Sequence, residues 1–191
     1  MAKESSFKEM VLTLLVVSIF ASIALAGVYL VTLEPIKTAK SAKINEAIKK
    51  VVPAFDNNPG ADVYKMAVDG DTIRLYPARK GGELVGTAVE TFTNKGFGGH
   101  FTLMVGLLPD GTIKSVEVLT HKETPGLGDK MEKSKSNFSV QFEGKNPKTF
   151  KMMVKKDGGD VDAITASTIT SRAFTDAVNR AYNAYMKGGK Q

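Results

Sequence analysis

The sequence predicts an α+β protein in which one N-terminal transmembrane helix is followed by an antiparallel sheet with flanking helices. Three observations point there. From Met10 to Leu33 no residue is charged. From about Val63 to Val118, short alternating runs of β-compatible residues are separated by turn signals. Near the end, Phe174, Ala177, Val178, Ala181, Tyr182 and Tyr185 fall on one helical stripe.

The uncharged run spans ~36 Å as a helix at ~1.5 Å per residue, against a hydrocarbon core of ~30 Å. Lys8 and Glu9 close one end, and Glu34, Pro35 and Lys37 the other. Ala24-Leu25-Ala26 resembles a signal-peptide cleavage site. A signal peptide has an apolar core of about 7–15 residues, whereas this run continues through Val28-Tyr29-Leu30-Val31. The segment therefore reads as an uncleaved anchor at 10–33, preceded by a short segment at 1–9. Charge does not orient it. Lys3 and Lys8 stand on one side and Lys37, Lys40 and Lys43 on the other, and a large domain can be translocated whatever such charges say.

Residues 34–60 read as a linker containing an amphipathic helix. Ile44, Ala47, Ile48, Val51 and Val52 recur at helical spacing until Pro53, and Asp56-Asn57-Asn58-Pro59-Gly60 forms a loop. A domain at 61–191 follows. Thr72–Tyr76 and Leu84–Val89 alternate as strands. Phe101–Leu108 and Ile113–Leu119 form a hairpin about the Pro109-Asp110-Gly111 turn. Phe138–Phe142 and Phe150–Val154 are candidates for two more short strands. The striped helix closes the chain, with Gly188-Gly189 as its stop.

Composition narrows the chemistry. The net charge is +6 with Lys and Arg spread along the chain, which argues against a nucleic-acid partner. The chain has no cysteine, so disulfides, thiolate metal ligation and a thiol nucleophile are excluded. Its two histidines, His100 and His121, are too few for a histidine-rich metal site, and no metal is expected.

The segment Asp162–Ser171 concentrates hydroxyls at Thr165, Ser167, Thr168, Thr170 and Ser171, just before the last helix. One hydroxyl suffices to cap a helix, so the cluster exceeds that need. A helix N-terminus also suits a phosphate, and a hydroxyl there can be esterified by one. Capping and phosphate attachment remain the two readings. Glu123-Thr124-Pro125-Gly126-Leu127-Gly128 is a tight loop in which proline fixes one φ and the glycines permit close backbone approach. It is either a connecting turn or part of a site. Gly96-Phe97-Gly98-Gly99-His100 precedes a strand. Its glycines suit a bulge or close packing, and Phe97 belongs either to the core or to a ligand contact. His121 reads as a surface residue or a contact to a ligand or redox partner.

Asp162-x-x-Thr165-Ala166-Ser167-Thr168 resembles the flavinylation motif Asp-x-x-(Ser/Thr)-Gly-Ala-(Thr/Ser), with Ala166 in place of glycine and Ser167 in place of alanine. The final hydroxyl of that motif receives FMN as a phosphoester from a dedicated flavin transferase that uses FAD. Glu123–Gly128 matches a signature of FMN-binding domains, and Gly96–Gly99 resembles their Gly-aromatic-Gly-Gly motif. In order along nearly the whole chain, these features resemble the G subunit of the Rnf electron-transport complex and, less closely in length, the C subunit of the sodium-translocating NADH:quinone oxidoreductase.

The resemblance implies an FMN-binding domain with FMN held covalently on Thr168. Glu123, Thr124, Gly126, Leu127, Gly128, Asp162, Thr165 and Ser167 are the other expected site residues, with Ser167 and Thr170 as rival acceptors. It implies a redox subunit of a ferredoxin:NAD oxidoreductase complex rather than a stand-alone enzyme. The expected partners are the other membrane subunits, the flavin transferase during maturation and membrane lipid. Residues 1–9 would be cytoplasmic and the domain would lie outside a bacterial inner membrane. A domain holding FMN non-covalently, or a structural anchor without flavin, are the alternatives.

Overall fold

The computed structural model describes residues 6–188. Its elements are α1 (Phe7–Val51), β1 (Tyr64–Val68), β2 (Asp71–Lys80), β3 (Glu83–Gly96), β4 (Gly99–Leu107), β5 (Ile113–Thr120) and α2 (Thr168–Gly188), with single 3-10 turns between β5 and α2. Lys3 and Gly189 lie outside the described residues.

The apolar run and the amphipathic segment expected after it form one helix. α1 passes through Pro35 without interruption. A proline inside a helix removes one N–H donor and crowds the preceding turn, but the bonds on either side of it can still form. α1 ends at Val51, and Pro53 disfavours helical backbone at Val52. The chain divides into two compact units at Ala42/Lys43. In the first, the apolar run is exposed, and the helix is long and apolar enough to cross a membrane.

The second unit is built on a five-stranded antiparallel meander in the order β1-β2-β3-β4-β5. Both faces are covered. Ile73, Leu75, Val89, Leu103, Val105 and Leu107 pack in one core with Phe174, Ala177, Val178, Ala181 and Tyr185 of α2. Tyr76, Ala78, Ala88 and Met104 point the other way and pack against Ala47, Ile48, Val51 and Val52 at the end of α1. Cover on both sides explains why β3 reads as a continuous buried run rather than a clean alternation. The β4–β5 hairpin forms about the expected turn, where Gly111 takes φ +88° and donates its N–H to Leu108 O at 2.8 Å.

The two further strands do not form. Ser139–Phe142 is a 3-10 turn. Phe138 and Phe142 pack edge-on at 5.7 Å, and each meets Phe174 of α2, at 5.2 and 5.1 Å. Their four-residue spacing places both rings on one side of a helical turn, which an alternating strand would also do but without bringing them so close. Phe150–Val154 is irregular apart from one parallel bridge, Val154 to Val161. Its alternation reflects burial of Met152 and Val154 without a ladder.

Candidate functional site

The chain enters α2 through a four-residue turn closed by Ser167 N–H on Ile164 O at 3.0 Å. Ala166, its third residue, has φ +61°. Positive φ at that position alone is the mark of a type II turn, where glycine is preferred because it has no Cβ to clash. This accounts for the glycine in the motif that Ala166 departs from. Ala166→Gly is expected to raise stability by roughly 0.5–1 kcal/mol, the left-handed strain relieved minus the extra freedom of the unfolded chain. Urea unfolding of the two proteins in detergent measures the difference.

The structure sorts the hydroxyls. Ser171 is fully buried and brackets the turn, accepting from Ile164 N–H and donating to Ser167 O, both at 2.9 Å. Thr170 is 1% exposed and donates to Glu123 Oε2 at 2.7 Å. Ser167 is buried, Thr165 is exposed, and half-buried Thr168 opens α2. Among the described residues, none of these hydroxyls caps the first-turn N–H groups of α2, so those donors stay available.

Glu123 joins three segments distant in sequence. Its carboxylate, 6% exposed, accepts from Thr170 and from Gly98 N–H at 3.0 Å. Gly98 and Phe97 form the two-residue loop of the β3–β4 hairpin, between paired Gly96 and Gly99. A Cβ on Gly98 would lie 2.1 Å from Lys122 O, and one on Gly128 would lie 2.4 Å from Glu123 Oε2. Both glycines are thus places where backbone meets the Glu123 segment too closely for a side chain. Between them Thr124 O accepts from Leu127 N–H at 3.2 Å, and Gly126 takes φ +76° to make the bend.

These segments enclose a cleft of about 330 Å³ lined by Phe97, Glu123, Thr124, Leu127, Gly128, Ala166, Ser167, Thr168 and Ile169. Phe97 is 70% exposed, Ile169 50% and Leu127 41%, so Phe97 belongs to the cleft wall and not to the core. Asp162, Thr165 and Gly126 do not line it. Asp162 is held by Gln141 and Lys155 instead. Gln141 accepts from its N–H at 2.8 Å and donates to its carbonyl at 3.1 Å, and its carboxylate pairs with Lys155 at 2.7 Å.

His121 takes a role the sequence did not suggest. Its Nδ1 accepts from Glu123 N–H at 3.1 Å, so Nε2 carries the proton and donates to Glu132 Oε1 at 2.7 Å. That bond holds the Glu132 carboxyl below its ordinary range, against burial and with help from Lys135. A depressed carboxyl stabilises the fold above its unfolded pKa and loses that contribution as pH falls through the folded one. The stability gap between wild type and Glu132→Gln is therefore expected to be below about 1 kcal/mol at pH 7 and to close towards pH 3. Urea midpoints across that window measure it.

The cleft fits a flavin mononucleotide on its own chemistry. Apolar surfaces of Phe97, Leu127 and Ile169 suit a flat ring system. The uncapped N-terminus of α2 offers N–H donors and the positive end of the helix dipole to a phosphate. Residues 96–183 match the FMN-binding domain family, so fold and site together define an FMN-binding domain behind a long apolar helix.

Among curated relatives, the G subunit of the ion-translocating oxidoreductase complex of Vibrio cholerae serotype O1 (strain M66-2) is 34% identical over 87% of this chain and 86% of its own. That of Shewanella amazonensis is 37% identical over 87% and 83%. The solved structure of Shewanella oneidensis NqrC is 22% identical, with a TM-score of 0.48 over 73% of this chain and 71% of that one. The chain belongs to the family of G subunits of ion-translocating oxidoreductase complexes.

Proposed function

We propose that this protein is an electron-transfer subunit of an ion-translocating ferredoxin:NAD oxidoreductase complex, carrying FMN as a phosphoester of Thr168. One observation carries the choice of residue. Thr168 is the half-buried hydroxyl residue on the cleft wall at the first position of α2. Thr170 and Ser171 are buried and committed to Glu123 and to the turn, Ser167 is buried, and Thr165 lies off the cleft.

In this reading the Thr168 hydroxyl gives up its proton as its oxygen bonds to the flavin phosphate, and the transferase's FAD loses its AMP portion. FMN supplies reversible electron transfer when bound. Phe97, Leu127 and Ile169 would offer apolar contact to the ring, Thr124 a polar one, and the first turn of α2 would hold the phosphate. Asp162, clamped by Gln141, and Thr165 present the acceptor segment to the transferase. α1 crosses the inner membrane once, with the domain outside. The other membrane subunits are its electron-transfer partners, and lipid surrounds the anchor.

The test is an intact mass of the full chain after co-expression with the flavin transferase, with a denaturing gel viewed by fluorescence. A gain of FMN less one water, with fluorescence that survives denaturation, is the expected result. Flavin lost on denaturation, or none at all, overturns the covalent assignment.

A further inference from the structure

We propose that Glu123 sets the reduction potential of the flavin in this cleft, its carboxylate acting as a fixed negative charge in the cleft wall that disfavours adding electrons there. The inference rests on the reading of the cleft as a flavin site. Glu123 lines the cleft, is 6% exposed and receives two hydrogen bonds, from Gly98 N–H and the Thr170 hydroxyl. A backbone N–H can only donate, so at least one carboxylate oxygen is held as an acceptor.

Of the cations, Lys135 pairs with Asp129, Lys155 with Asp162 and Lys95 with Asp176. Among the described residues, none forms an ion pair with Glu123. Burying a carboxylate without a cation is costly. If Glu123 served only to tie the hairpin to α2, glutamine would do it without that cost. Its oxygen can accept from Gly98 N–H, and its amide can donate to the Thr170 hydroxyl, which is able to reverse its role. What glutamine lacks is the charge. In a buried wall that charge is weakly screened, and its repulsion grows with each electron added to the cleft.

The experiment is a spectroelectrochemical titration of the flavin-loaded, detergent-solubilised full chain, with dithionite as reductant. In Glu123→Gln the ratio of reduced to oxidised flavin at a fixed potential should rise about tenfold, an upward shift of ~30 mV for a two-electron couple. Thr170→Val keeps the charge and removes one of the donors that offset it, so its midpoint should fall while its unfolding temperature drops. An unchanged midpoint in flavin-loaded Glu123→Gln overturns the proposal. If that variant does not fold, a midpoint in Thr170→Val that is unchanged or higher overturns it alone. Absence of flavin from the wild type is a different result, and defeats the flavin reading itself.

Discussion

Thr168→Ala is expected to abolish the flavin that stays with the polypeptide through denaturation, while the domain keeps its fold. A phosphoester needs the hydroxyl oxygen, so loss should be complete rather than partial. The side chain is half-buried at the first position of α2 and, among the described residues, makes no hydrogen bond that alanine would break. The stability cost should stay within about 0.5 kcal/mol, as for surface positions. Ser167→Ala run beside it is expected to keep its flavin. Retention in Thr168→Ala with loss in Ser167→Ala would move the acceptor by one residue and leave the carrier function standing. Intact mass separates these outcomes.

A large structural effect is expected at Gly98. Gly98→Ala places a methyl 2.1 Å from Lys122 O and 3.0 Å from Glu123 N. Neither is a flexible side chain that could move aside, so the β3–β4 loop must part from the Glu123 segment. That separation also breaks the Gly98 N–H bond to Glu123. Overpacking of this kind costs about 3 kcal/mol, and the cleft loses the wall formed by Phe97. A large drop in urea midpoint and a fall in flavin occupancy should appear together. Gly60→Ala is the control, because the nearest atom to its added methyl is Asn58 Oδ1 at 3.5 Å. It should shift stability by no more than about 0.5 kcal/mol.

Much of this protein is written in local patterns. The apolar run of α1 is a matter of consecutive composition. The stripe of α2 and the β4–β5 hairpin follow from periodicities of 3.6 and 2 and from Pro109-Asp110-Gly111. The resemblance of the Glu123–Gly128 and Asp162–Thr168 segments to flavoprotein motifs was legible too, because each motif sits within a few residues of chain.

What the patterns did not reveal depends on contacts between distant segments. Phe138–Phe142 became a turn because both rings are drawn into the core against Phe174 of α2. Continuity of α1 through Pro35 was hidden because a proline reads as a boundary while the helix on either side has enough bonds to continue. The crowded hydroxyls looked interchangeable until Glu123, 47 residues from Thr170 and 25 from Gly98, bound one of them and joined the hairpin to the helix. A sequence determines which residues have donors, acceptors and apolar surface, and over what local period. Which hydroxyl is spent on the fold and which is left on the cleft wall was decided only when the chain closed on itself, because burial and hydrogen-bond geometry depend on neighbours that periodicity does not specify.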